Sequence, residues 1–147
     1  LVYIGKDMGL KKTLIGLSKK LEVDNKVMFL DYVQDEDLLA YLHLSDILLH
    51  PSLAEGLSTI LLEAAACKLP FVTTPSGGNG YFANETGTGL VVPFNDEKEL
   101  ASAAMELWQD KSLLRDMRNK ASAYAPNLSW EKVFDKIVKV YYEVLNA

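Results

Sequence analysis

An α/β fold, doubly wound around a mostly parallel sheet and closed by helices alone, is predicted by three features of these 147 residues. Short apolar or β-branched runs alternate with stretches of helical period as far as Pro93. The stretch from Asp46 to Pro75, DILLHPSLAEGLSTILLEAAACKLPFVTTP, reads strand, loop, helix, strand, which is one βαβ unit. Beyond Pro93 only helical periodicity remains, so the sheet ends there and helices follow.

In chain order, Leu1 to Gly5 is a short apolar run ending in Gly, as a buried parallel strand does, and Lys6 to Gly9 makes a turn. A helix is expected from Leu10 to Val23, with Leu14, Leu17 and Leu21 inward and Lys11, Lys12, Lys19 and Lys20 on its solvated face. Lys6 follows the carboxyl end of a strand, where open α/β sheets bind ligands, but an exposed turn lysine is the simpler reading. Lys26 to Leu30 is the next strand, with Asp31 to Gln34 as its loop. A helix over Asp35–Ser45 carries Asp35 and Glu36 in its first turn and Leu38, Leu39 and Leu42 at helical spacing, which leaves His43 on its surface. His50 ends the strand that begins at Ile47 and leads into the Glu55 loop; ordering that loop is its expected role, with substrate contact as the alternative.

The central helix is expected over Ser58–Cys67 with Ser58 as N-cap, and Phe71 to Thr74 is the strand that follows. Pro75 to Gly80 reads as a flexible glycine turn at the same sheet edge, where backbone can approach a ligand closely. Gly89 to Pro93 is the last strand. Asn95 is expected to cap a helix over Asp96–Gln109 with Leu100, Ala103, Ala104 and Leu107 inward, and Lys111–Tyr124 and Ser129–Leu145 are two further helices. The last aligns Trp130, Val133, Phe134, Ile137, Val138 and Tyr141 as an apolar stripe suited to packing.

The length is that of one domain. A net charge of −5 with scattered Lys and Arg argues against a nucleic-acid groove. The single cysteine, Cys67, permits no internal disulfide and is best read as a small core residue; no metal cluster is expected. No apolar run reaches the roughly twenty residues that span a bilayer, and no signal peptide is evident, so a cytoplasmic location is the default expectation.

Chemistry concentrates in the central stretch. Its helix is apolar on nearly every face, as a helix packed inside a domain is, so Glu63 stands out as a carboxylate that needs a reason, and Glu55 precedes it in a loop bounded by Pro51 and Gly56. With about 1.5 Å of rise per residue, both carboxylates and the free amides of the helix start can border one pocket. Helix amides suit phosphate oxygens, whereas carboxylates accept from sugar hydroxyls. A nucleotide sugar carries both groups. The plain alternative stays open: Glu55 is a solvated loop residue and Glu63 a helix carboxylate that reaches water.

The same run resembles the signature of glycosyltransferase family 4, GT-B enzymes whose C-terminal half carries the pattern PS..EG....LLEA.A...P.V.T. The matching residues are Pro51, Ser52, Glu55, Gly56, Leu62, Glu63, Ala64, Ala66, Pro70, Val72 and Thr74. The resemblance extends over essentially the whole chain, through LVYIG, KVMFLDYVQDEDLLAYLHLSDILLHPS, TGTGLVVPFNDEKELASAAMELWQD and a helix opening with SWE. It implies the Rossmann-like C-terminal half of a GT-B fold, which binds the nucleotide-sugar donor. It further implies transfer of a sugar, with retention, to a glycan or lipid-linked acceptor, without a cofactor or obligatory metal.

On that resemblance Glu55 is the catalytic candidate, serving donor-sugar hydroxyls near the reacting centre. Gly56, Leu57, Ser58 and Thr59 serve the diphosphate, Glu63 the ribose hydroxyls, and backbone groups of Tyr32 and Val33 the base, though a plain connecting loop explains those two equally well. Gly77 and Gly78 could frame the sugar or the acceptor. Family members carry an N-terminal acceptor domain, and their C-terminal half opens with one more strand and a GR…KG segment. The chain is therefore expected to be incomplete at its start, inactive alone, and part of an enzyme that works in the cytoplasm or peripherally at a membrane. A closing helix of this kind reaches back towards the N-terminal half, so part of the apolar stripe is expected to be an uncovered interface.

Two departures stand out. Leu57 and Ser58 replace the commoner Phe-Gly pair, and after Gly77-Gly78 the usual helix-opening glutamate gives way to Asn79, Gly80, Tyr81 and Phe82. Two other classes remain as alternatives: a GT-B sugar-nucleotide epimerase, and a non-catalytic module that binds a nucleotide sugar or scaffolds.

Overall fold

A computed structural model describes residues 1–146, which form two compact units, Leu1–Ala40 and the chain from Tyr41 onward. The elements are β1 (Val2–Ile4), α1 (Lys11–Lys20), β2 (Met28–Leu30), α2 (Asp35–Leu44), β3 (Leu48–His50), α3 (Thr59–Ala66), β4 (Phe71–Thr73), α4 (Asn79–Thr86), β5 (Gly89–Val91), α5 (Glu97–Gln109), α6 (Lys111–Tyr124) and α7 (Trp130–Leu145). Short 3₁₀ turns at Asp24–Lys26 and Ala125–Leu128 precede β2 and α7. Every strand pair is parallel, as the alternation of strands and helices predicts.

In the first unit β1 pairs with β2 in the register Val2 to Met28 and Ile4 to Leu30, and the Tyr3 and Phe29 rings stack with centroids 5.6 Å apart. The turn into α1 is built by Asp7, whose Oδ1 accepts from the Gly9 and Lys11 amides at 2.7 and 3.1 Å. Those bonds hold its carboxyl below the usual carboxylate range. α1 is shorter than expected, and its inward face is Leu14, Ile15 and Ser18, while Leu17 and Leu21 are exposed. Lys11 is likewise not a purely solvated lysine, since its Nζ lies 2.9 Å from Asp31 Oδ1. α2 ends at Leu44, and of its apolar residues Leu42 is buried whereas Leu39 is half exposed.

In the second unit β4 lies between β3 and β5, and its three residues are fully buried or nearly so, as a central parallel strand requires. Val72 and Val92 pack with Ala103 and Leu107 of α5 and Leu114 and Met117 of α6. Phe71 stacks on Phe82 of α4 at 6.0 Å, and Phe82 meets Tyr124 edge-on at 5.8 Å. β5 approaches β4 so closely that a Cβ on Gly89 would run into the Phe71 ring.

Three expectations need correction here. The glycine stretch is not a flexible turn throughout: α4 starts at Asn79 and takes in Gly80. Gly and Asn are poor helix formers, but Phe82 and Ala83 bury against the core and packing prevails. The cap of α5 is Asp96, whose carboxylate accepts from the Glu99 amide, and not Asn95, which sits at φ +54°. α3 is not enclosed: Leu61, Ala64 and Ala65 are buried, but Thr59, Glu63 and Ala66 form an exposed face one helical repeat apart.

Candidate functional site

The carboxyl ends of β3 and β4 carry the polar cluster of the second unit, the position where open parallel sheets place their ligands. His50 ends β3, and its carbonyl accepts from Thr73 Oγ1 of β4 at 3.1 Å. The chain then turns through Pro51 to Ser58. Ser52 Oγ donates to Glu55 Oε1 at 2.8 Å, and Thr74 Oγ1 donates to the Ser52 carbonyl, which ties this loop to the end of β4.

His50 Nε2 stands 2.7 Å from Ser58 Oγ and 3.5 Å from Glu55 Oε1, so one imidazole edge faces both ends of the Glu55–Ser58 segment. The hydrogen bond from Ser52 is the chief reason that the Glu55 carboxyl is held below its usual range; burial opposes it, and Ser58 and His50 add smaller lowering contributions. Glu55 is therefore a carboxylate at neutral pH, an acceptor and not an acid.

The Gly77-Gly78 loop closes on this segment. Gly77 has φ +52°, and a Cβ there would collide with the carbonyl oxygens of Glu55 and Gly56; the Gly78 amide donates to Gly56 O. A residue with a side chain would push the loop off the Glu55 segment. Asn79, fully buried, accepts at Oδ1 from the Ser58 amide at 2.9 Å. Its Nδ2 and Ser76 Oγ are buried without a hydrogen-bond partner. Sequence reasoning treated Asn79 only as a departure from a motif. No local signal marks it, because its partner lies twenty-one residues away in the chain.

Ser58 occupies the N-cap position of α3, but its hydroxyl does not cap the helix, since it is engaged by His50. Its amide is taken by Asn79. The amides of Gly56, Leu57, Thr59 and Ile60 make no hydrogen bond among the described residues. They constitute a cluster of donors at the positive end of a helix, suited to an anion.

Glu63 stands apart. It is exposed on the outer face of α3, and among the described residues its carboxylate makes no hydrogen bond or ion pair, while its carbonyl accepts from the Cys67 amide. A cavity of about 290 Å³ lined by Pro51, Thr74, Val92, Asp96 and Leu100, among others, is bordered by neither Glu55 nor Glu63. α3 buries Leu61, Ala64 and Ala65, and Glu63 lies on its opposite, exposed face. Tyr32 and Val33 follow β2 in the first unit, Tyr32 exposed and Val33 half-buried. Cys67 ends α3 as a free, half-buried thiol, its pKa raised by burial and by the nearby Glu63 charge. Among the described residues no group of three or more His, Cys, Asp or Glu could hold a metal ion.

Parallel βαβ units with polar groups gathered at the strand carboxyl ends define an α/β domain of the doubly wound class. The sequence places it further: the profile of the glycosyl transferases group 1 family matches residues 1–140, and the chain belongs to that family. It is 32% identical over 135 residues to N-acetyl-alpha-D-glucosaminyl L-malate synthase of Bacillus anthracis, covering 90% of this chain and 35% of that protein. Among solved structures it resembles WaaG, a glycosyltransferase involved in lipopolysaccharide biosynthesis, with a TM-score of 0.78 and 25% identity, covering 86% of this chain and 33% of that one. It also shares its fold with HepE of Anabaena in complex with UDP, at a TM-score of 0.83 and 21% identity over 97% of this chain and 40% of that one. The chain thus spans about a third of the length of the curated relatives it matches. The C-terminal-half GT-B architecture expected from the motif is the observed one.

Proposed function

We propose that this chain binds the donor of a glycosyltransferase, a nucleotide-activated sugar, for transfer to a glycan or lipid-linked acceptor with retention at the anomeric carbon. The observation that carries the reading is the set of unpaired amides at the start of α3 beside an ionised Glu55. Sugar transfer from such a donor must stabilise a departing nucleoside diphosphate and an oxocarbenium-like centre together. Fixed amide donors serve the first need, and the Gly56–Thr59 segment is assigned the diphosphate, with Ser58 orienting the turn. Glu55 is assigned the donor-sugar hydroxyls near the reacting carbon, Glu63 the ribose hydroxyls, and the Gly77-Gly78 loop the frame of the sugar. No cofactor or metal takes part in this reading. The HepE structure with UDP supports the ligand class.

Calorimetric titration of the purified chain with UDP, GDP and ADP tests this, with Glu63→Ala as control. One nucleotide is expected to bind, and Glu63→Ala to weaken it roughly tenfold, the loss of about one charge-assisted hydrogen bond. In the full-length protein Glu55→Ala should lower turnover more than affinity. Equal losses of nucleotide affinity in both variants would refute this division of roles.

A further inference from the structure

A serine at a helix N-cap ordinarily accepts a hydrogen bond from the amide two or three residues on. Ser58 has the backbone for it, with φ −68° and ψ 123°, but not the bond. Its hydroxyl lies against His50 Nε2, its amide is fixed by Asn79, and the His50 backbone is itself fastened to β4 through Thr73. Both partners that hold Ser58 are anchored in the sheet edge and in buried structure, whereas nothing in α3 competes for the hydroxyl. The Ile60 amide, the natural partner of a capping Ser58, is left without one.

We infer that His50 is a positioning residue that holds the Ser58 hydroxyl away from α3 and so keeps the helix N-terminus open to phosphate oxygens of the donor. A hydroxyl turned onto the helix would occupy one of the free donors and offset part of the positive end of the dipole, and an incoming phosphate would have to displace it. His50 prevents that competition without touching the ligand. The identity of the ligand rests on the reading above; the hold of His50 on Ser58 does not.

Three variants test the inference: His50→Leu, which releases Ser58; His50→Gln, whose amide still reaches it; and His50→Leu with Ser58→Ala, which removes the competing hydroxyl. The first measurement is amide hydrogen exchange of Ile60 in the unliganded chain, with the Leu107 amide reporting that the core is intact. Exchange at Ile60 should slow roughly fivefold in His50→Leu, as a gained cap implies, and keep the native rate in the other two. The second is UDP titration, where His50→Leu should bind roughly fivefold more weakly and both other variants should recover most of that loss. Native-rate exchange at Ile60 in His50→Leu, as when the freed hydroxyl turns to Glu55, overturns the inference. So does a binding loss that the double variant fails to relieve. Slowed exchange in a chain that binds no UDP, GDP or ADP would instead uphold the hold on Ser58 and refute the nucleotide reading.

Discussion

Single residues set the shape of the loop that bears Glu55. Ser52 lowers the pKa of that carboxyl by donating to it, so Ser52→Ala should let the Glu55 carboxyl titrate closer to the ordinary glutamate value, which carbon-detected NMR titration would register. The sign follows from the lowered value. The stabilisation that ionised Glu55 gives the loop is complete above the ordinary glutamate pKa and is lost as pH falls through the depressed one. An unmoved titration in Ser52→Ala would mean that another group holds the charge. Gly77 is constrained by space as well as by its positive φ. Gly77→Ala should cost more than about 1 kcal/mol of stability by chemical denaturation, since both the strained conformation and the contact with Glu55 and Gly56 oppose a Cβ. Asn79 shows what a single side chain can decide out of sight of the sequence: one buried oxygen fixes where α3 begins.

At the scale of elements, most helix starts with an acidic or hydroxyl side chain on its own amide were legible, Asp96 excepted. Asp110 is such a case, accepting from the Ser112 and Leu113 amides at 2.9 Å. Asp110→Ala should therefore destabilise the chain by about 1 kcal/mol, read from the denaturation midpoint at constant slope. Ser129 caps α7 in the same manner, through the Lys132 amide. Ser58 and Asn95 have the right chemistry in the right place and do not cap, because a neighbour in space outbids the local amide in one case and the backbone turns left-handed in the other. α4 was missed for a related reason. Its glycine and two asparagines carry no helical signal, and it forms because Phe82 and Ala83 have a core to enter.

At the scale of the molecule, the five strands and every helix but α4 follow from hydrophobic period, and the family from the resemblance of the Pro51–Thr74 run to a known signature. The apolar stripe of α7 is the largest feature whose setting period alone could not decide. Trp130 is 83% exposed, Phe134 65% and Tyr141 64%, and α7 has no buried residue at all. The stripe was expected to pack, with part of it an uncovered interface; in this chain nearly all of it is uncovered, and only Val133 and Val138 are half-buried. Phe134→Ser should accordingly change stability by no more than about 0.5 kcal/mol, whereas Leu107→Ala, which empties a fully buried site between α5 and the sheet, should cost about 2–5 kcal/mol. Comparable losses in the two variants would show that α7 is packed after all. Among the described residues no helix is long and apolar enough to cross a membrane.

The sequence by itself determined the five strands, every helix but α4, and that the strands run parallel, because these depend on patterns among near neighbours in the chain. Tertiary structure alone decided that Ser58 serves His50 and not its own helix, that Asn79 anchors α3 from twenty-one positions away, and that Glu63 faces outward while Glu55 joins the cluster. Those outcomes turn on hydrogen bonds and burial between residues far apart in sequence, where the partner that wins is set by distance in space, and no period or motif records it.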